Sequence, residues 1–138
     1  LDTSKGKQLL RDFAFTPSCS TTEVLACSLN YEFNTRTLSV TNFDIKNVGF
    51  PAGATHIALT VGLLHFDCDT LEFSLQNSTP LYMDKQYSAT SFEMNNDLPE
   101  VGGLAVAVLG MKFYQKVQGT YYLFKDANAV GVEVLGVE

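Results

Sequence analysis

Tryptophan is missing from the 138 residues, histidine occurs twice, proline four times, and lysine and arginine together only nine times. Each shortage excludes something. Nine cations against fifteen acids leave a net charge of −6, too few to neutralise a run of phosphates, so nucleic acid is not an expected partner. Charged residues make up only 17% and apolar residues 46%, the reverse of a disordered tail. No apolar run approaches the ~20 residues that span a bilayer as a helix. The longest, Val101 to Met111, is broken by Gly102, Gly103 and Gly110 and reads as a buried strand. No segment repeats apolar residues at helical spacing.

Catalytic signatures are also lacking. There is no G-x-S-x-G elbow. Gly102-Gly103 has no Lys-Ser and no helical pattern behind it, so it reads as a bend or bulge before a strand rather than a phosphate loop. The densest set of potential ligands is His65, Asp67, Cys68 and Asp69, at a strand end and turn. Asp at a hairpin turn is commonly there to bond the backbone, and no partner at metal-binding spacing occurs elsewhere. His56 lies on the opposite face from His65 by parity. Neither an enzyme nor a cofactor or metal site is expected. Cys19, Cys27 and Cys68 are an odd set; Cys19 and Cys27 would close a short loop if paired, and any of the three serves equally as a small buried residue. Asn77-Ser78-Thr79 matches a glycosylation sequon with Pro80 directly after it.

What the chain has in abundance is alternation. Ala105, Ala107, Leu109, Met111, Phe113, Gln115 and Val117 form a period-two stripe, followed by a Gln118-Gly119-Thr120 turn and a return over Tyr121 to Phe124. Thr55, Ile57, Leu59, Val61, Leu63 and His65 form a second, placing a strand over Ala54 to Phe66, with Leu71, Phe73 and Leu75 returning. Leu29, Tyr31 and Phe33 turn through Asn34-Thr35-Arg36 into Leu38 and Val40, and Val130, Val132 and Val134 mark a last strand. Gln8 to Phe15 and Lys85 to Met94 are further expected strands; Asn42 to Phe50 and Asn77 to Asp84 read as loops. Glu23 to Cys27 fits an edge strand or a short helical turn. This spacing predicts an all-β fold, an antiparallel β-sandwich of Ig-like or Greek-key type with about seven to nine strands in one domain over 1–138; a closed barrel is the competing all-β solution.

The C-terminal segment GMKFYQKVQGTYYLFKDANAVGVEVL, with Leu9 to Phe15 and Phe50 to His56, resembles a group of uncharacterised proteins from Bacteroidota that share "LL-x-x-F-x-F", "P-A-G-A-T-H" and "EFYQ-x-VNG-x-x-Y-x-L-K" in that order. Here Lys112 stands for the acidic residue of the last motif and Gln118 for its Asn. Members of the group are longer and carry a basic N-terminal region, which fits a processed or partly represented chain. The resemblance implies a bacterial context, extracellular or at the cell surface, and no chemistry.

Two functions follow as expectations. The first is a structural subunit of a filament- or virion-like assembly, partnered by copies of itself. Residues 1–15 would serve as a donated or edge strand anchored by Phe13 and Phe15, with Val132 and Val134 in the last strand. The second is a binding module for a glycan or other extracellular ligand, using Tyr114 and Tyr122 on the last hairpin and the loops at Asn42 to Pro51 and Asn95 to Glu100. With Tyr31, Tyr82, Tyr87 and Tyr121 these two make six tyrosines available for a carbohydrate-stacking platform. Exposed tyrosines on sheets also serve cross-strand pairing and protein interfaces, and sugar modules usually add tryptophan.

Overall fold

The computed structural model describes residues 4–12, 15–16, 19–99 and 102–138. Among them, nine strands form two antiparallel sheets packed as a β-sandwich. The smaller sheet has the order β1 (Ser28–Glu32), β2 (Thr37–Thr41), β6 (Phe92–Asn95). The larger is built on two long strands, β3 (His56–Phe66) and β7 (Leu104–Val117), paired along all eleven residues of β3. Two short strands share each remaining edge of this pair. β5 (Leu81–Asp84) and β4 (Phe73–Asn77) line up along β3; β8 (Thr120–Leu123) and β9 (Val130–Val137) line up along β7.

The core follows from the stripes. Ile57, Leu59 and Val61 of β3 and Leu109, Met111 and Phe113 of β7 face Leu38 and Val40 of β2 and Met94 of β6, all at most 6% exposed. Each such large side chain contributes ~1.5–3 kcal/mol on burial, so this strip outweighs any single polar pair. A bulge in β9 opposite Ala107/Val108 inserts Leu135, which packs against the core. The expected loop Asn42 to Phe50 also contributes to the core, because Phe43, Ile45 and Val48 are buried around a short 3-10 turn over Ile45–Asn47.

Two helices precede the sheets. α1 (Ser4–Asp12) packs against β9, so the strand expected over Gln8 to Phe15 is instead helical as far as Asp12; Phe13 lies outside the described residues. A segment coiled as a helix on its own domain offers no extended edge to donate. α2 (Thr21–Leu25) takes the helical alternative for Glu23 to Cys27. Ser20 Oγ accepts the Glu23 N–H at its start, and Ala26, at φ 51°, closes its end on Thr22 O. The strand expected over Lys85 to Met94 is reduced to β6, and β5 lies in what reads as a loop. All three cysteines are free; Cys19 is buried, Cys27 half-buried and Cys68 exposed.

Candidate functional site

The outer face of the larger sheet is where chemistry and exposure coincide. Register places side chains there in six rows. His56 stands beside Asp84 and Tyr114; Ala58 beside Tyr82 and Lys112; Thr60 beside Gly110. Gly62 stands beside Asn77 and Val108; Leu64 beside Leu75 and Val106; Phe66 beside Phe73 and Leu104. From His56 to Phe66 is ~33 Å at the usual rise per residue. One end is aromatic and basic, the waist is small, and the other end is aliphatic and phenylalanine-rich.

At the aromatic end four rings touch. Tyr82 meets Tyr121 at 5.1 Å and Tyr114 at 5.8 Å between ring centres; Tyr114 meets Tyr121 at 5.9 Å, and His56 meets Tyr121 at 5.2 Å. Lys116 Nζ lies 5.2 Å above the Tyr121 ring, within cation–π range. Burial, then the neighbouring Tyr82 phenol and a hydrogen bond with it, push the Tyr114 hydroxyl above its ordinary pKa. Beside this cluster is a pit of about 200 Å³, floored by Ala58, Thr60 and Gly110 and walled by Pro80, Tyr82, Lys112 and Tyr114.

The structure therefore gathers Tyr114 with a different tyrosine from the one expected. The hairpin turns on two residues, Gln118 (φ 49°) and Gly119 (φ 83°), as Val117 pairs directly with Thr120. Tyr121 then opposes Lys116 on the Tyr114 face, and Tyr122 opposes Gln115 on the other. Val132 stands beside Gly110 and Val134 beside Val108, half-buried at the margin of the outer face. Phe15 is half-exposed next to Thr16, whose hydroxyl bonds both the N–H and the carbonyl of Val132 on the edge of β9. Neither the loop 42–51 nor the segment 95–99 lines the pit. Tyr82 and Tyr121 belong to the six tyrosines the sequence offers for such a platform, and the structure puts them, rather than Tyr122, beside Tyr114. The two-residue turn with glycine at its second place was the signal that would have found Tyr121.

The other end of the face is apolar and open. Phe73 is 68% exposed and Leu75 52%, alternate residues of the edge strand β4, and Leu71 just before it is 71% exposed.

A second locus lies between the sheets. A cleft of about 340 Å³ is lined by residues that include Arg36, Leu63, His65, Leu98 and Glu138. His65 Nδ1 and Ser74 Oγ, on paired positions of β3 and β4, are buried with no hydrogen-bond partner, so they do not form a nucleophile–base pair. Burial holds the His65 imidazole below its usual pKa, partly offset by the Glu138 carboxylate. Asp67, from the same candidate ligand set, accepts the Asp69 and Thr70 N–H groups, which lower its pKa and account for its place in the turn. Among the described residues no group of three or more His, Cys, Asp or Glu is arranged to hold a metal ion. No helix among them is long and apolar enough to cross a membrane.

Comparison with family models, with curated proteins and with solved structures found no match to this chain.

Proposed function

We propose that the protein is a non-enzymatic structural subunit that assembles with copies of itself through the β4 margin of its larger sheet, in an extracellular or surface setting. The observation that carries this reading is the exposure of Phe73 and Leu75 along an edge strand. Edge strands in monomers are blunted by lysine, proline or inward-pointing charge, because an open row of N–H and C=O groups recruits another strand. β4, FSLQN, carries none of these devices. A copy approaching this margin would extend the sheet and cover Phe73, Leu75 and Leu71 together, an apolar strip of the kind that homomeric interfaces bury. A second copy fits better than an unrelated partner because an isologous strand pairing brings the same apolar row to both sides, with no complementary charge required.

Analytical ultracentrifugation and electron microscopy of the purified chain over a range of concentrations test this. Oligomers or regular polymers are expected, reduced to monomers by Phe73→Lys combined with Leu75→Lys. Both positions are exposed, so the substitutions leave the core intact. A wild-type chain that stays monomeric at high concentration would falsify the reading.

A further inference from the structure

We propose that the pit between Tyr82, Tyr114 and Lys112 is a subsite for an acidic sugar, a pyranose carrying a carboxylate or a sulfate. The site is independent of the β4 margin. Its rows, from His56 to Thr60, lie ~20–33 Å by strand rise from the Phe66 row that carries Phe73.

Three features of the pit match that ligand. Its floor is made of Ala58, Thr60 and Gly110, which keep side-chain bulk low enough for a ring to settle on the sheet. The Tyr82 and Tyr114 rings stand beside it with 54° between their planes, presenting apolar ring surface to the C–H face of a sugar, while their hydroxyls and that of Thr60 offer hydrogen bonds to its O–H groups. Lys112 is an exposed cation at the wall, with Lys116 and His56 just behind the tyrosines. On a chain with only nine lysines and arginines, two of them on this small area select for an anion. The acid on these rows, Asp84, stands opposite His56 rather than in the lining of the pit, and accepts the Gln86 N–H at 2.8 Å.

A proline-rich peptide is the competing occupant of an exposed tyrosine cluster. Such peptides lie along a groove between successive aromatic ridges. Here Tyr121 packs against both Tyr82 and Tyr114, so the tyrosines converge around one ring-sized pit. The area is small and the expected affinity of one subsite is weak. Copies held in an assembly would raise it by avidity.

The test is titration of the full chain, followed by NMR shifts and calorimetry at low salt, with four probes: an oligogalacturonate, a sulfated glycosaminoglycan oligomer, a neutral malto-oligosaccharide and an acidic proline-rich peptide. Binding of either acidic sugar, weakened by added salt, is expected, and the two distinguish carboxylate from sulfate. Tyr82→Ala and Tyr114→Ala should each weaken it about tenfold, the scale of one lost stacking contact. Lys112→Gln should remove the preference over the neutral sugar, and Tyr122→Ala, on the opposite face, should change nothing. Lys112→Gln alters an exposed residue, so its loss of preference does not depend on how the tyrosine variants fold. The inference is overturned if no sugar binds at millimolar concentration, if binding survives both tyrosine changes, or if the peptide alone binds. The monomer-forming β4 variant should bind each sugar oligomer at one subsite as the wild type does, which separates this inference from the assembly reading.

Discussion

Tyr31 donates its hydroxyl to Asn96 Oδ1 at 2.8 Å, and this bond, on the smaller-sheet side, orients the side chain that joins the two sheets by polar contact as well as by apolar packing. Asn96 completes the link with its amide, which donates to Val61 O at 2.8 Å and Gln76 O at 3.0 Å. The location has a structural reason. β5 pairs with β3 as far as Leu59 and β4 from Gly62, leaving the edge of β3 open at Val61. Ser78 closes this gap by donating its N–H to Val61 O and accepting the Val61 N–H at its hydroxyl oxygen, and Asn96 occupies the space beside it.

Replacing Asn96 by Ala is expected to cost ~2–4 kcal/mol, because Tyr31 and Gln76 O lose partners in a buried site. Urea unfolding of the single variants and of the double variant with Tyr31→Phe checks this. A coupling energy of ~1 kcal/mol between the two positions is expected, and additive effects would show that the hydrogen bond contributes nothing.

The same tyrosine makes stability depend on alkaline pH. Burial, opposed weakly by Arg36, pushes the Tyr31 phenol up to about 12 from an ordinary value of about 10. The folded chain then holds this proton more tightly than the unfolded chain. The resulting stability is complete below about pH 10 and is lost as pH rises toward about 12. Melting temperatures measured across that interval should fall, and Tyr31→Phe should fall less steeply over the same range.

Gly131 of β9 sits under α2. A methyl group there would come within 2.6 Å of Thr21 Oγ1 and 3.1 Å of Met111 Cε. Gly131→Ala is therefore expected to destabilise by ~1–3 kcal/mol through overpacking. Gly49→Ala, where nothing lies within 4 Å, should stay within ~0.5 kcal/mol in the same denaturation assay.

The strands with strict alternation were legible in the sequence: β1 with β2, β3, β7 and β9 all fall where period-two stripes place them. What escaped was decided by contacts that periodicity does not encode. α1 reads as a strand because Leu9 and the phenylalanines after it alternate, yet it coils and packs against β9. β5 has one fully buried residue, Met83, beside Pro80 and an exposed Tyr82, too little alternation to stand out from a loop. A three-residue turn over Gln118 to Thr120 would put Tyr122 on the Tyr114 face; the two-residue turn moves every later side chain to the opposite face and puts Tyr121 there. The candidate site was thus legible in its residue type and its hairpin, and hidden in its register and in its third tyrosine, which comes from β5.

The way β9 completes the long strand β7 has a consequence for synthesis. β7 is translated before β9, and until Val130–Val137 emerges, the β7 edge from Val106 to Lys112 has no strand to pair with. Ala129, Gly131 and Val137 also belong to the buried interior. A nascent chain therefore carries an unpaired, strongly apolar strand edge until Val130–Val137 has been made, the kind of transiently exposed edge that is prone to pair with neighbouring chains.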